Sequence, residues 1–403
     1  MPARVLLDLS HTSHTRARTG IQRVARALRA QWSDDALGIT FDPYEGHWRP
    51  LRDWERDNLE AEAPSPSRGA AWPLGARIGG RLRRLSGRSP QPLAAQALVV
   101  PELFSASVAA ALPSLFARVS GPRVALFHDA IALRMPESAA PKTVARFPAY
   151  LCELLRFDGI AAISDESRDC LLEYWRWLGV SDCPPVQTVP LGTDPRPAAF
   201  PATAANPPRL LCVSSIEGRK NHLALLQACE ALWSQDRHFS LTLVGLAHPV
   251  TGRPALDLIR TLQARGRPLD YKGPVSEADL ELAYRQASFT VYPSLAEGFG
   301  LPVIESISRS VPCVCSGRGA VGESARGGGC LLLDSLQAVS LEAGIESLLA
   351  NPGLLADLRE AAARRTLKTW SAYASDLSAW ALGLPRRPDS FQPLRLPSGP
   401  RRA

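Results

Sequence analysis

The stretch that decides the fold runs from Ser288 to Glu305 and reads SFTVYPSLAEGFGLPVIE. Its first part is a short run of β-branched and aromatic residues that ends at Tyr292-Pro293, which is typical of a buried strand. A loop with two glycines follows, and Pro302 then stands where the first turn of a helix favours proline. The stretch therefore predicts a βα unit whose loop lies at the carboxyl end of its strand.

The loop of this unit has the residue types that a phosphate or sugar site needs. Gly298 and Gly300 carry no side chains, so backbone N–H groups and the helix N-terminus can approach an anion closely. Glu297 stands at the edge where open α/β sheets bind ligands, and Glu305 lies about one turn into the helix. Carboxylates accept hydrogen bonds from hydroxyls, which suits a sugar or a ribose. The alternative is that Glu297 is an ordinary loop acid and Glu305 a helix acid that complements the dipole.

A second polar turn, VSSIEGRKNH from Val213 to His222, follows another predicted strand and opens another helix. We assign Ser214, Arg219 and Lys220 of this turn to the same site. Two adjacent cations at a helix N-terminus oppose the helix dipole unless an anion binds between them. A guanidinium offers phosphate two parallel hydrogen bonds and an ammonium a compact charge, so the turn predicts a phosphate site. A solvated polar turn is the alternative.

The same alternation of strand and helix extends over most of the chain. The predicted strands are Arg4–Leu9, Arg123–Phe127, Gly159–Ile163 and Val186–Val189 in the first half, and Arg209–Val213, Ser240–Val244, Ser288–Tyr292 and Val311–Cys315 in the second. Strands that alternate with helices build parallel sheets covered on both faces. The predicted fold class is α/β, with two Rossmann-like doubly wound domains that face a central cleft.

Composition shifts divide the chain. The proline-rich segment Pro195–Pro208 predicts the interdomain linker. The predicted parts are an N-terminal domain at 1–198 with an insertion at about 60–92, a C-terminal domain at 205–370, a helix at 371–384 and a disordered tail at 385–403. For the helix we also consider that it crosses back to the N-terminal domain.

The insertion has two interpretations. Leu74, Ile78, Leu82 and Leu85 keep an i, i+4 rhythm beside several arginines. A short basic amphipathic helix that rests on an anionic membrane has this pattern. The more ordinary interpretation, and the one that the sequence favours, is a solvated surface insertion.

Composition and charge limit the class of protein. The chain has 403 residues with 45% apolar and 21% charged residues, as expected for a globular protein of two domains. Its net charge of +7 comes mainly from arginine, without a nucleic-acid motif, so we expect no nucleic-acid partner.

The cysteines and apolar runs bear on location. The eight cysteines include no C-x-x-C pair, which indicates neither a disulfide framework nor a zinc site and suits the reducing cytoplasm. The sequence has no apolar run of ~18 residues and no apolar leader. We therefore expect a cytoplasmic protein whose membrane contact, where it occurs, is peripheral and on the anionic inner membrane.

Taken together, these motifs resemble glycosyltransferase family four. The resemblance rests on the Glu297-x₇-Glu305 spacing, the R-K-N turn, the KGPV segment that ends at Val275 ahead of an acidic helix, and the FHD segment that contains His128. It extends from the TGIQRV segment to about Trp380. Members of this family are retaining enzymes with the GT-B fold of two Rossmann-like domains.

The resemblance implies roles for the second domain. Arg219 and Lys220 would hold the donor diphosphate and neutralise the leaving group. Glu297 would contact hydroxyls of the transferred sugar, and Glu305 would bind the ribose. Further donor contacts would come from Val275 against the nucleobase and from the backbone of Phe299, Gly300 and Leu301 on the sugar and phosphate.

It also implies roles for the first domain. His128 would lie near the reacting centre. Gly20 matches the glycine at the first βα turn, although this chain has Thr19-Gly20 where the family usually has two adjacent glycines. The catalytic set that we predict is therefore His128, Arg219, Lys220 and Glu297.

The function that the resemblance implies is transfer of a hexose, with mannose favoured and GDP-mannose as its donor, to a growing lipid-linked polysaccharide such as an O-antigen or exopolysaccharide. The nucleotide sugar is a co-substrate, and we expect neither a cofactor nor a metal, since the sequence contains no D-x-D. The alternatives are a nucleotide-sugar epimerase of the same fold, a non-catalytic nucleotide-sugar-binding module, and a glycan phosphorylase with Lys368 as its pyridoxal phosphate lysine.

Overall fold

The computed structural model describes residues 3–18, 20–61, 69–86, 93–194 and 206–388. These residues form two α/β domains, each built on a twisted sheet with helices on both faces. This arrangement confirms the predicted α/β fold of two Rossmann-like domains. No helix in the described part of the chain combines the length and the apolar character that crossing a bilayer needs.

The described part of the N-terminal domain contains seven strands in the spatial order β3-β2-β1-β4-β5-β6-β7. They are parallel except for β3, which pairs antiparallel with β2. The strands are β1 (Ala3–Asp8), β2 (Ala36–Asp42), β3 (His47–Pro50), β4 (Ala95–Val100), β5 (Arg123–Phe127), β6 (Gly159–Ala162) and β7 (Val186–Thr188). The helices are α1 (Gly20–Trp32), α2 (Asp53–Glu60), α3 (Leu74–Leu85), α4 (Ala106–Phe116), α5 (Ile131–Arg134), α6 (Pro141–Glu153) and α7 (Asp165–Trp177).

The C-terminal domain has an all-parallel sheet in the order β10-β9-β8-β11-β12-β13 among the described residues. The strands are β8 (Arg209–Val213), β9 (Ser240–Val244), β10 (Leu269–Tyr271), β11 (Phe289–Tyr292), β12 (Cys313–Ser316) and β13 (Cys330–Leu333). The helices are α8 (His222–Ser234), α9 (Arg253–Ala264), α10 (Glu277–Gln286), α11 (Leu301–Ser308), α12 (Gly319–Ala325), α13 (Ala338–Ala350), α14 (Pro352–Arg364) and α15 (Trp370–Gly383).

The central strands are apolar throughout because helices cover both faces of each sheet. In β1, successive side chains alternate between two cores: Leu6 packs in one, and Val5 and Leu7 pack in the other. The strand order of the C-terminal domain reverses between β8 and β11. The loops that follow these two strands therefore open into the crevice where doubly wound sheets bind ligands.

Helix α15 returns to the N-terminal domain. Tyr373 and Leu377 are fully buried in the core that also contains Val5 and Leu7, and the indole N–H of Trp32 donates to the Ala374 carbonyl at 3.2 Å. This is the crossing that the sequence left open for residues 371–384.

The first residues of the predicted tail, 385–388, contact the N-terminal domain. The Arg387 N–H donates to Asp158 at 2.7 Å, and Arg386 donates to the Val119 carbonyl. The Arg387 backbone and the Arg386 side chain thus hold residues 385–388 on the N-terminal domain. The rest of the predicted tail, 389–403, lies outside the described residues, as do 195–205 of the predicted linker and residues 62–68 and 87–92 of the insertion.

Candidate active site

Two loops of the C-terminal domain form the centre of the site. The first follows β8 and ends in a short 3₁₀ turn, Gly218–Lys220, after which Asn221 adopts a left-handed conformation with φ 56°. The second follows β11 and ends at Gly300, whose φ of 96° is in the region that favours glycine. The Leu295 N–H donates to the Arg219 carbonyl at 2.8 Å, so the backbone itself joins the two loops.

Arg219 and Lys220 meet at one carboxylate. Lys220 is buried, and its Nζ pairs with Glu297 and donates to the Tyr292 hydroxyl at 2.8 Å. The Arg219 guanidinium lies 2.9 Å from Glu297 and, through its other nitrogen, 2.9 Å from Glu217. The two positive charges are therefore balanced by two carboxylates within contact distance.

This pairing adds a carboxylate to the predicted phosphate site. The adjacent cations were interpreted as a place for a bound phosphate, but in this structure the anion between them is the Glu297 carboxylate. A phosphate would have to compete with a covalently tethered partner. The site therefore has a built-in substitute for the negative charge of a ligand.

The protonation states follow from this contact. Burial alone would raise the pKa of Glu297, but Lys220 and Arg219 outweigh burial and hold it at about 2. Tyr292 and Ser294 also donate hydroxyl hydrogen bonds to this carboxylate. Burial lowers the pKa of Lys220, and the negative charge of Glu297 opposes that change. Glu297 is thus a fully ionised acceptor with four donors.

Glu305 makes a different contact from the one that the resemblance implied. It is buried in α11 and forms an ion pair with Arg23 of α1, across the cleft. The Tyr284 hydroxyl donates to the same carboxylate at 3.4 Å. Where the sequence placed the donor ribose, the structure has an arginine of the opposite domain.

The N-terminal domain contributes the strand-end pair His128 and Asp129. His128 is buried, burial lowers its pKa, and its Nε2 lies 2.7 Å from the Pro101 carbonyl. Asp129 accepts a hydrogen bond from the Ile131 N–H, and burial raises its pKa while Arg219 acts against that rise. The side chain that turns towards the C-terminal site is therefore Asp129, whereas His128 contacts its own domain.

The two domains touch at Gly298. A β-carbon at this position would lie 2.3 Å from the His128 carbonyl oxygen, so only glycine allows the observed approach. The Ser167 hydroxyl donates to the His128 carbonyl at 2.8 Å and faces the Gly298 carbonyl at 3.4 Å. Glu323 of α12 accepts the N–H groups of Asp165 and Glu166 at 2.8 Å each and so caps α7 of the other domain. The domains are closed on each other.

Beside this contact lies a cavity of about 470 Å³. Both domains line it, with Asp129, Arg134 and Glu166 on one side and Glu297 and Arg318 on the other. The charged cluster thus opens onto a space large enough for part of a sugar nucleotide.

The remaining predicted residues lie around this centre. Ser214 is half-buried, with its hydroxyl 3.2 Å from Nε2 of His222, and Val275 packs half-buried beside the core of the second domain. The side chains of Phe299 and Leu301 pack against the N-terminal core. Gly20 begins α1, and a β-carbon there would meet nothing within 4 Å, so its predicted close approach has no steric requirement in this structure.

Comparison with known proteins identifies the domain that carries the cluster. Residues 197–365 match the family described as glycosyl transferases group 1. Residues 197–365 are thus a group 1 glycosyltransferase domain. The predicted resemblance to family four is confirmed at this level, and so is the prediction that the protein is an enzyme of the glycosyltransferase class.

Two curated relatives of this chain are from Escherichia coli. The serotype-specific mannosyltransferase WbdA is 23% identical in an alignment of 343 positions that covers 77% of this chain and 38% of WbdA. The O-antigen chain mannosyltransferase B is 38% identical over 110 residues, which are 26% of this chain and 28% of that protein. The chain thus spans about two fifths or less of the length of these relatives.

Solved structures share the fold of this chain. Sucrose-phosphate synthase from Thermosynechococcus elongatus aligns with a TM-score of 0.64 and 17% identity over 94% of this chain and 98% of its own. Anabaena Alr3699/HepE in complex with UDP and glucose aligns with a TM-score of 0.66 and 15% identity over 95% of this chain and 100% of its own. These similarities confirm the GT-B fold.

Sequence reasoning missed three side chains of the site. Asp129 could have been found, because it directly follows His128 at the end of a predicted strand. Tyr292 had the same signal at the end of β11. Arg23 had none, since it is one of several arginines on the polar face of α1. No group of three or more metal-binding side chains occurs within the described ranges, and metal independence stays a prediction.

Proposed function

We propose that the protein is a retaining hexosyltransferase that moves a mannose-type sugar from a nucleotide diphosphate, with GDP-mannose favoured, to a growing lipid-linked polysaccharide. The observation that carries this proposal is the buried group of Arg219, Lys220 and Glu297 beside an interdomain cavity. The names of the E. coli relatives, which are mannosyltransferases and in one case act on an O-antigen chain, favour the sugar and acceptor.

Donor binding would exchange partners within the cluster. The diphosphate would take over Arg219 and Lys220, while hydroxyls of the sugar would donate to the Glu297 carboxylate. Each charged group would then still have a partner, so no buried charge would be left uncompensated during the exchange. The cluster is therefore ready for a ligand that brings both negative charge and hydroxyl donors, as a nucleotide sugar does.

The catalytic contribution would come from the cations. As the bond between sugar and phosphate breaks, negative charge grows on the leaving phosphate, and Arg219 and Lys220 would stabilise it. A carboxylate with a pKa of about 2 is a weak nucleophile, which speaks against Glu297 forming a covalent intermediate. We therefore favour attack on the same face of the sugar, with a phosphate oxygen that accepts the proton of the acceptor hydroxyl.

A transfer assay with GDP-mannose and a lipid-linked mannose acceptor tests the proposal. Arg219→Ala and Lys220→Ala should each slow transfer by roughly 10²-fold, the scale of losing one charge-stabilising donor. Arg260→Ala, on the exposed surface of α9, is the matched control and should leave the rate unchanged. Near wild-type turnover of both cluster variants would remove them from this role.

Two further measurements separate the alternatives. A thermal-shift series with GDP, UDP, ADP and dTDP identifies the base, because only a bound nucleotide raises the melting temperature. Incubation with donor alone separates the epimerase, which would isomerise the sugar without an acceptor. Absence of any nucleotide shift and of any product would refute the proposal.

We also place the reaction in the cytoplasm. All eight cysteines lie within the described ranges and are free, and five of them are buried. Free thiols suit a reducing compartment.

A further inference from the structure

Helix α3 presents its apolar side chains to solvent. Leu74, Ile78, Leu82 and Leu85 are 67%, 51%, 61% and 83% exposed. Their spacing of four, four and three residues places them on one face of the helix, as a continuous stripe. We call these four side chains the α3 stripe.

The opposite face of α3 docks on the N-terminal domain. Gly80 is buried there, and a β-carbon on it would lie 2.7 Å from Cβ of Tyr44 in the turn between β2 and β3. Arg83 pairs with Glu45 at 2.5 Å, and the guanidinium of Arg81 lies 5.8 Å from the centre of the Tyr44 ring. Glycine and arginine thus hold the helix in place.

This orientation is the reverse of an ordinary surface helix, which buries its apolar face and exposes its polar one. Because Gly80, Arg81 and Arg83 fix α3, the stripe is not needed to hold it on the domain. Exposing four aliphatic side chains to water is unfavourable in free energy, and burying them against an apolar surface would remove that unfavourable term. The stripe is therefore placed for an apolar surface outside the chain.

Charge identifies that surface. Helix α3 has four arginines and no aspartate or glutamate in its sequence. Arg77 and Arg81, which directly precede Ile78 and Leu82, are exposed, and their guanidinium groups lie 5.7 and 5.8 Å from the centre of the Tyr44 ring. An apolar stripe with basic flanks suits a bilayer with anionic lipids. A second copy of the chain would bring an identical basic helix against this one, which like-charge repulsion disfavours.

We propose that α3 is an interfacial membrane anchor that lies in the plane of an anionic bilayer and inserts the α3 stripe. Its position suits this role. Helix α3 rests on the turn after the carboxyl end of β2, which is the cleft side of the sheet. Just before α3, Trp72 stacks on His14 at 4.0 Å, and the Ala71 N–H donates to the His14 carbonyl at 2.8 Å.

The anchor therefore connects to the loop after β1, which opens into the cleft. A bilayer bound at α3 would lie beside the cleft entrance, where a lipid-linked acceptor would enter. This last step rests on the proposed function, whereas binding of α3 to a bilayer does not.

Vesicle co-sedimentation of the full chain tests the anchor. The wild type should bind vesicles of phosphatidylcholine with 30% phosphatidylglycerol at least about 10-fold more tightly than pure phosphatidylcholine, since each arginine near an anionic surface contributes several-fold. Ile78→Ser with Leu82→Ser should weaken binding by roughly 10²-fold, as expected for two aliphatic side chains that no longer insert. Val250→Ser with Val339→Ser removes two side chains that are 72% and 74% exposed in the other domain and should bind like wild type.

Other results would overturn the anchor. Wild-type protein that stays in the supernatant with anionic vesicles, or a stripe variant that sediments as well as wild type, contradicts it. A wild-type dimer in sedimentation velocity that is absent in the stripe variant also contradicts the anchor, because the stripe would then be an interface between two copies of the chain. The melting temperature of each variant, with and without nucleotide, shows that the fold and donor site are intact.

The same variants separate the anchor from the proposed function. The stripe variant should raise KM at least about 10-fold for a vesicle-borne acceptor, with unchanged KM for a short soluble acceptor. Vesicle binding without transfer in either assay would refute the proposed function and leave the anchor standing. Equal KM values of variant and wild type on vesicles would refute the delivery of the acceptor through α3.

Discussion

Replacing Glu297 by glutamine tests the electrostatic description of the site. The change keeps the shape of the side chain but removes the charge that balances Lys220 and Arg219, which are 8% and 20% exposed in their side chains. Unpaired buried cations are costly, so the C-terminal domain should lose stability. Glu217→Gln is the matched control, because it removes the same charge from Arg219 but leaves the contact between Glu297 and Lys220 in place.

The magnitude follows from the pKa of Glu297. A carboxyl group whose pKa falls from 4.5 to about 2 on folding stabilises the native state by roughly 3 kcal/mol at pH 7, at ~1.4 kcal/mol per pH unit. Because the folded pKa is the lower one, this contribution is complete above pH 4.5 and disappears as the pH falls towards 2. At pH 3 about 1.4 kcal/mol should remain. The difference in unfolding free energy between wild type and variant should therefore shrink as the pH falls.

The assay is urea unfolding of both proteins at pH 7 and pH 3, followed by hydrogen exchange of peptides from β8 and β11. Local exchange is preferable to one global signal, because a chain of two domains need not unfold in a single step. A difference below 1 kcal/mol at pH 7, or one that is the same at both pH values, would refute the reasoning. In that case the close contact among the three side chains would carry no net stabilisation.

Three further predictions concern the cleft. Gly298→Ala should slow transfer by roughly 10²-fold with little change in melting temperature, because its β-carbon would have to move about 1 Å from the His128 carbonyl and separate the lobes. Gly20→Ala is the control and should stay active, since a β-carbon there meets nothing within 4 Å. Equal activity of the two variants would show that closure of the domains is not needed. Arg23→Gln should tighten nucleotide binding about fivefold in calorimetry, since it frees Glu305 for the ribose. Weaker binding would contradict this and show that Arg23 itself binds the nucleotide sugar. Chelation with EDTA should leave the transfer rate unchanged, and a loss that Mg²⁺ or Mn²⁺ restores would contradict metal independence.

The fold class could be predicted because it follows from local patterns. Strands such as β8 and β11 are short apolar runs bounded by glycine and polar turns, and helices follow each of them. The position of both polar loops at one sheet edge also follows, since parallel strands all point the same way. Five strands, β2, β3, β4, β10 and β13, were not predicted. The antiparallel β3, for example, has only four residues, which carry little periodicity.

The site could be predicted in its members but not in its contacts. The sequence indicated that Arg219, Lys220 and Glu297 belong together, because both loops follow predicted parallel strands of the second domain. It did not indicate that Glu297 itself pairs with both cations, or that Arg23 pairs with Glu305. Such pairs depend on the packing of segments that are 77 or more positions apart in the chain.

By itself, the sequence determined two Rossmann-like domains, a charged loop at each of two strand ends, and the amphipathic period of α3. Only the tertiary structure decided which carboxylate meets which cation, that Gly298 touches the other lobe, and that α3 turns its apolar stripe outward. The physical reason is that periodicity and turn residues act over a few positions, whereas an ion pair or an exposed face is set by what remote segments place beside it. A helix pattern specifies which residues share a face, and packing decides where that face points.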